Sequence, residues 1–180
     1  MIKVISYPNL QFDDSKQDEN IINQIFDITY MAMTEIIPSA NIKDDDYRIW
    51  RKSHTERLNN GTKYILLYND EILKGYLSYE IRENHADIFI GDVIIHSNYQ
   101  GDGKTIFRLL HTFIKECKNC EFTTIRTYAN NLNKRSQGII EKAGFTLDEQ
   151  RVNGKIYCID KNFLLKNFSK YIGNFDRESN

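Results

Sequence analysis

The fold of this chain is decided by residues 90–105, which read IGDVIIHSNYQGDGKT. The stretch starts within a nearly continuous apolar run over residues 86–96, as expected of a strand that is buried on both faces. It ends at a predicted amphipathic helix, Lys104–Cys117, whose apolar side chains recur every three or four residues. Because Gly101 and Gly103 lie between these elements, the sequence predicts a strand and a helix joined by a glycine-containing loop.

That loop has the chemistry of an anion site. Glycine accepts positive φ and lets the backbone approach a ligand closely. The helix that follows presents unpaired N–H groups and the positive end of its dipole, which suit a phosphate or a pyrophosphate. An ordinary strand-to-helix turn is the alternative. Gly103-Lys104-Thr105 would also end a P-loop, but that motif needs a glycine where Asn98 stands, so a P-loop phosphotransferase is the weaker alternative.

Composition excludes several classes of protein. The chain has 180 residues, of which 41% are hydrophobic and 12% aromatic, and this excludes intrinsic disorder. The formal net charge is −1, so no global charge attracts nucleic acid. No apolar run reaches the roughly 18 residues of a membrane helix, and the first residues do not form a signal peptide. We therefore expect one domain over residues 1–180 that is cytoplasmic and has no membrane or nucleic-acid partner.

The cysteines Cys117, Cys120 and Cys158 cannot form a disulfide framework. Zinc would need a second ligand pair beside the C-x-x-C, and the four histidines are scattered without such spacing. A thioredoxin-like motif opens a helix, whereas this one closes a helical stretch. We therefore expect incidental thiols and no metal.

Periodicity and turn residues predict the other elements. Strands are predicted at residues 2–6, 63–68, 72–81, 122–128, 145–152 and 155–160. Helices are predicted at 18–37, after the aspartates at 44–46 as far as 59–61, at 133–143 and at 163–172. This order predicts an α/β (α+β) fold with a mixed, mostly antiparallel central sheet of about six to seven strands flanked by helices.

Two motifs in this order resemble the GNAT N-acetyltransferase superfamily. Its signature loop is Q/R-x-x-G-x-G/A, and Gln100, Gly103 and Thr105 stand at those positions, with Thr105 departing from the small final residue. Downstream, the segments 133–136 and 141–145 are similar to the family's N-x-x-S/A-x-x-x-x-E-K-x-G-F helix. The resemblance covers residues 62–160 and implies an acyl-CoA N-acyltransferase-like fold.

The resemblance implies that acetyl-CoA is the cosubstrate. Backbone N–H groups of the loop would hold the pyrophosphate; these belong to Gln100, Gly101, Asp102, Gly103, Lys104 and Thr105. The edge formed by Val93, Ile94 and Ile95 would pair with pantetheine like an added strand. The N–H of Ile94 would polarise the thioester carbonyl. Asn133 would contact the pantetheine arm, with Ser136 nearby.

The implied chemistry is direct attack of an amine on the thioester, which requires a base. Asp92 is the first candidate, since burial would raise the pKa of its carboxyl, and Glu80 is the alternative. Asp92 could equally be a structural acceptor of hydrogen bonds. Many members carry a tyrosine before the Glu-Lys pair as general acid, but this chain has Ile140. Tyr128 and Tyr157 cannot be placed from the sequence, so the acid stays unassigned.

The acceptor is expected to be a small-molecule or peptide amine. In the family it lies against the first two helices and the final strands, here residues 36–46 and 150–155. Tyr30, Tyr47 and Trp50 would form either an aromatic pocket wall or part of the core. A homodimer stays open. The alternative function is a non-catalytic acyl-CoA-binding sensor or partner domain of the same fold.

Overall fold

A computed structural model describes residues 2–7, 16–36, 43–101 and 103–167. The elements follow the predicted order, and a further helical segment, α5, covers residues 161–167. Their bounds are β1 (Ile2–Tyr7), α1 (Lys16–Ile36), α2 (Lys43–Asn59), β2 (Lys63–Asn69), β3 (Ile72–Arg82), β4 (Asp87–Ile95), α3 (Lys104–Cys117), β5 (Thr124–Asn130), α4 (Lys134–Lys142), β6 (Thr146–Arg151) and β7 (Gly154–Asp160). The rest of the predicted last helix lies outside the described residues.

Within the described residues, seven strands are hydrogen-bonded in the order β1-β2-β3-β4-β5-β7-β6. The pairs β1–β2, β2–β3, β5–β7 and β6–β7 are antiparallel, whereas β4 and β5 run parallel. The predicted mixed, mostly antiparallel sheet is therefore confirmed. The chain divides into two compact units, residues 1–80 with 91–113 and residues 81–90 with 114–180. A single domain over residues 1–180 stays a prediction.

The core of the first unit lies where α1 covers β2 and β3. The helical spacing of Ile21, Ile25 and Ile28 places these side chains on one face, and all three are buried. They pack with buried residues of the strands, including Tyr64 and Tyr76. Burying each such side chain contributes about 1.5–3 kcal/mol. The aspartates at 44–46 lie in the first turn of α2, where carboxylates complement the helix dipole.

The second unit contains the β6–β7 hairpin, which turns at 152–153 as the Asn153-Gly154 pair predicts. Gly144 closes α4 at φ +93°, and Phe163 of α5 packs over it. All six residues of β6 are exposed, and its pairing with β7 shifts between Leu147 and Glu149. β6 is also the last strand in the sheet order.

Candidate active site

β4 changes character halfway along its length. In the described part of the chain, its pairing with β5 covers residues 87–90 and ends at Ile90 and Thr127, where Thr127 Oγ1 donates to Ile90 O at 3.1 Å. Residues 91–95 are only half-buried. The prediction of a strand buried on both faces is therefore wrong for the second half of β4. The apolar residues of β4 continue past Ile90, so the sequence pattern could not show where the pairing with β5 ends.

Gly91 and Asp92 of β4 approach the same two groups. A Cβ built on Gly91 would lie 2.9 Å from Ser78 Oγ and would overlap Arg57 Nη2. The Asp92 carboxylate contacts the same hydroxyl and the same guanidinium. The Asp92 N–H also donates to Ser78 Oγ at 2.9 Å. The backbone of β4 at these two residues therefore packs against the side chains of Ser78 and Arg57.

Two hydrogen bonds define which way the backbone faces after Asp92. The His96 N–H donates to Lys74 O of β3 at 2.8 Å, whereas the Ile95 carbonyl accepts from Gln100 Nε2 at 2.9 Å. In a strand the N–H and C=O of one residue point the same way, and successive residues alternate. Ile94 therefore faces β3, as His96 does, and Ile95 faces away from it.

This orientation does not favour Ile94 as the donor to a thioester carbonyl, because its N–H lies on the β3 side. The carbonyl of Ile94 lies on the β3 side as well, because a Cβ built on Gly75 of β3 would lie only 2.6 Å from Ile94 O. The backbone groups that face away from β3 belong to Val93 and Ile95. Those two residues were predicted to pair with pantetheine, and the alternation suits them to that role.

The glycine loop adopts the conformation that the sequence led us to expect. Gly101 has φ +104° and Gly103 has φ +70°, both in the left-handed region that favours glycine. A Cβ on either glycine would meet no atom within 4 Å, so the backbone there borders open space. The Phe107 N–H donates to Gly103 O at 3.0 Å, which places Gly103 at the start of α3. Asp102 lies outside the described residues.

Thr105 holds an unusual polar group in the first turn of α3. Thr105 is 1% exposed, and its hydroxyl is buried without a hydrogen-bond partner in the described part of the chain. Buried polar groups are nearly always hydrogen-bonded, so such a group calls for an explanation. An anion seated on the loop would provide the missing acceptor. The glycine backbone, the helix start and this hydroxyl therefore fit a pyrophosphate.

In the second unit, Asn133 caps α4. Its side-chain oxygen accepts from the Ser136 N–H at 2.9 Å, as an N-cap residue does. This contact gives Asn133 a structural role and uses the amide oxygen rather than the amide nitrogen. A role of Asn133 and Ser136 in cofactor binding stays a prediction.

The two predicted bases share one arginine that sequence reasoning missed. Arg57 of α2 donates from Nη1 to Asp92 Oδ2 at 2.9 Å and from Nη2 to Ser78 Oγ at 3.2 Å. Ser78 Oγ also donates to Asp92 Oδ2 at 2.8 Å. Glu80 lies 3.9 Å from Arg57 Nε and accepts from Thr62 Oγ1 at 2.7 Å. The structure thus brings Asp92 and Glu80 together around one guanidinium.

Burial and the neighbouring groups shift the pKa of Arg57 in opposite directions. Burial opposes the charge of Arg57, but Asp92 together with the Tyr64 and Tyr76 side chains outweighs burial and raises the pKa of the guanidinium above its ordinary value. Arg57 and Ser78 both donate hydrogen bonds to the Asp92 carboxylate, as the structural-acceptor alternative requires. No motif marked Arg57, because its partners are 21 to 35 positions away in sequence. The available signal was Gly91, a glycine inside an apolar strand.

A buried histidine lies on the same helix. His54 hydrogen-bonds through Nδ1 to the Tyr64 hydroxyl and stacks on Trp50 with ring centroids 4.1 Å apart. Burial lowers the pKa of His54 from 6.5 to about 4 and raises that of Tyr64. His54 is therefore a neutral core residue.

The aromatic residues considered for the acceptor pocket pack α1 against α2. Tyr30, Tyr47 and Trp50 lie around the buried Phe26, with centroid distances of 4.6 to 5.6 Å. The Tyr47 hydroxyl also donates to Asn23 Oδ1 of α1 at 2.9 Å. These contacts are those of a core, which is the second of the two alternatives.

No general acid emerges near the Glu-Lys pair. Ile140 is half-buried, and its side chain has no acidic proton to donate. Tyr157 is buried and donates to Glu141 Oε1 at 3.0 Å, and burial together with that bond raises the pKa of its hydroxyl. Tyr128 is 37% exposed and packs over Gly154. A tyrosine whose pKa is raised is a weaker acid, so Tyr157 is poorly suited to protonate a leaving thiolate.

The remaining expectations concern metals and membranes. Among the described residues, no group of three or more His, Cys, Asp or Glu side chains could hold a metal ion. Cys117 is buried at the end of α3, and the cysteines Cys117, Cys120 and Cys158 of the described ranges form no disulfide. Of the helices in the described ranges, none combines the length and the apolar character needed to cross a bilayer.

A profile of the acetyltransferase (GNAT) family matches residues 22–145, which include β4, the glycine loop and α4. The chain belongs to this family. A comparison with curated proteins found no match. The family assignment therefore rests on the profile, and it agrees with the fold and with the glycine loop.

Solved structures of the family share the fold of this GNAT chain. PaiA N-acetyltransferase from Thermoplasma acidophilum, in complex with coenzyme A, has TM-score 0.68 and 14% identity, over 88% of this chain and 99% of PaiA. Campylobacter jejuni PseH, with acetyl coenzyme A, has TM-score 0.56 and 13% identity, over 89% and 99%. Mutant forms of Vibrio cholerae spermidine/spermine N-acetyltransferase SpeG have TM-score 0.60 and 14% identity, over 92% and 97%. At this identity the likeness concerns the fold.

Proposed function

We propose that this GNAT protein is an acetyl-CoA-dependent N-acetyltransferase that moves an acetyl group to a primary amine. The observation that carries the proposal is the loop before α3. Two glycines at positive φ border open space, and the buried Thr105 hydroxyl beside them has no partner among the described residues. Acetyl-CoA supplies an activated thioester and a pyrophosphate, and PaiA and PseH were solved with coenzyme A and acetyl coenzyme A.

The chain offers three sets of groups for this cosubstrate. The N–H groups at the start of α3, together with the Thr105 hydroxyl, would hold the pyrophosphate. The backbone of Val93 and Ile95 faces away from β3, so it would pair with pantetheine and donate to the thioester carbonyl. Asn133 would donate from its amide nitrogen, because its oxygen already caps α4.

In the proposed reaction, the amine nitrogen forms a bond to the thioester carbonyl carbon and the carbon–sulfur bond breaks. A second proton leaves the nitrogen for water as the amide forms. Coenzyme A leaves as a thiolate and takes up a proton from water, since no general acid is assigned among the described residues. The attacking amine must first lose a proton to a base. Asp92 is the proposed base and Glu80 the alternative. Asp92 Oδ2 already accepts hydrogen bonds from Arg57 and Ser78.

A non-catalytic acyl-CoA-binding domain is the second candidate. Two observations favour it, namely Ile140 in place of the usual tyrosine and the ion pair that engages Asp92. Turnover separates the two candidates. A panel of small amines, amino acids and peptides with free N-termini would be assayed with acetyl-CoA for free thiol release. Release that depends on an amine supports the enzyme, and binding without release on the whole panel supports the sensor.

Binding is tested by calorimetric titration of acetyl-CoA into the wild type and two variants. Gly103→Val adds a branched side chain at φ +70° on the proposed pyrophosphate loop and is expected to abolish binding. Gly61→Val is the matched control, because Gly61 has φ +90° and open space around it but lies in the turn before β2. It is expected to bind like the wild type. Absence of binding in the wild type would reject the proposal.

A further inference from the structure

Arg57 occupies the space that a side chain at position 91 would need. A Cβ on Gly91 would overlap Arg57 Nη2 and lie 3.3 Å from Arg57 Cζ, so the guanidinium lies directly over the Gly91 backbone. A glycine inside a strand costs stability and commonly marks a close approach by another group. Here the approaching group is the end of an α2 side chain. Gly91 and Arg57 are therefore complementary in shape.

Arg57 also holds two groups on β3 and β4 that contact each other. Its Nη1 donates to the Asp92 carboxylate and its Nη2 to the Ser78 hydroxyl. Ser78 Oγ in turn accepts the Asp92 N–H, so a side chain of β3 binds a backbone group of β4. The side chain of Arg57 is 28% exposed and that of Asp92 16%, so water competes only partly with these contacts.

We infer that Arg57 is a positioning residue that fixes the backbone at Gly91 and Asp92 and, through it, the β4 edge at Val93 and Ile95. The orientation of the backbone at one residue of a strand sets the side to which the following residues present their N–H and C=O groups. The edge begins directly after the residues that Arg57 contacts. The part of this inference that concerns catalysis rests on the proposed function, whereas the part that concerns the backbone of β4 does not.

Hydrogen exchange tests the backbone part without any substrate. Arg57→Gln and Gly91→Ala are each expected to raise exchange of the amides of residues 91–95 by at least about tenfold. Gly91→Ala displaces the guanidinium while Arg57 stays in the sequence. The obstructing atoms, Arg57 Nη2 and Ser78 Oγ, are the ends of side chains, so the protein should still fold. Arg48→Gln is the control, because Arg48 lies on the same helix, is largely exposed and pairs only locally with Asp45.

A double-mutant cycle then separates positioning from general damage. If Gly91→Ala acts by moving Arg57, the double variant exchanges no faster than Arg57→Gln alone. The inference would be overturned if the increase in exchange rate of the double variant were the product of the two single increases. It would also be overturned if a folded Arg57→Gln variant exchanged at the wild-type rate. In the acetyl-transfer assay we expect Arg57→Gln to lower kcat at least about tenfold and to raise the KM for acetyl-CoA, because the same edge would pair with pantetheine. Arg57→Lys is expected not to restore kcat.

The two proposals fail in different ways. A wild type that binds no acetyl-CoA rejects the proposed function, and the exchange data still decide the role of Arg57. A wild type that acetylates amines, with Arg57→Gln equal to it in kcat and in exchange at 91–95, rejects the role of Arg57 alone.

Discussion

Replacing Thr105 by valine should have opposite effects on stability and on binding. Valine keeps the shape of the side chain and removes a hydroxyl that is buried without a partner among the described residues. Leaving such a group unpaired costs about 1–3 kcal/mol, so the ligand-free variant should be more stable by about 1 kcal/mol or more. For a chain of this size, each kcal/mol corresponds to a Tm higher by about 2–4 °C.

Affinity should change in the other direction. A hydrogen bond to a charged group contributes about 1.5–3 kcal/mol, so losing the Thr105 contact with a pyrophosphate should weaken acetyl-CoA binding by about tenfold to about a hundredfold. Thermal melts of the ligand-free proteins and calorimetric titrations measure the two effects. Thr112→Val is the control within α3, because its hydroxyl donates to Arg108 O at 3.0 Å. It should lose a little stability and keep its affinity.

The opposite signs make the Thr105 prediction easy to refute. A variant that melts below the wild type would show that the hydroxyl has a partner in the free protein. An unchanged Kd for acetyl-CoA would show that the hydroxyl does not contact the cosubstrate. Either result would remove the observation on which the proposed function chiefly depends.

Two further predictions concern titratable groups in the first unit. Asp92→Asn should lower kcat at least about a hundredfold if Asp92 is the base, and Glu80→Gln should do so if Glu80 takes the proton. Neither substitution should change the Kd for acetyl-CoA. If both variants keep the wild-type kcat, neither carboxylate is the base. The folded pKa of His54, about 4, lies below its unfolded value of 6.5, so its contribution to stability is complete above pH 6.5 and is lost as the pH falls toward 4. Urea unfolding at pH 7 and pH 5 should show a smaller loss for His54→Gln than for the wild type, and equal losses would contradict the assignment.

Local patterns were sufficient for most of the fold. The spacing of Ile21, Ile25 and Ile28 predicted both α1 and its buried face. The Asn153-Gly154 pair predicted the last hairpin, and the glycines at 101 and 103 predicted a backbone with positive φ. Each of these features depends on neighbours in sequence or on the conformational freedom of a single residue, which is why they can be read without a structure.

Features that depend on distant residues were missed. The apolar run of β4 gave no sign that pairing with β5 stops at Ile90, since the apolar residues continue past that point. The choice of Ile94 as donor required the side of the strand on which its N–H lies, and the hydrogen bond at His96 sets that side. Arg57 has no motif of its own. Its role depends on contacts with β3 and β4, which only the folded chain brings together.

The outer strand β6 has a consequence for how this protein behaves at high concentration. A long, flat strand at the end of a sheet is a template onto which another chain can add, and aggregation often begins there. β6 has the features that oppose such addition, since its ladder shifts beside Asp148 and charged side chains stand at Asp148, Glu149 and Arg151. Uncontrolled growth of sheets from this edge is thereby disfavoured, although all six residues of the strand are exposed to solvent.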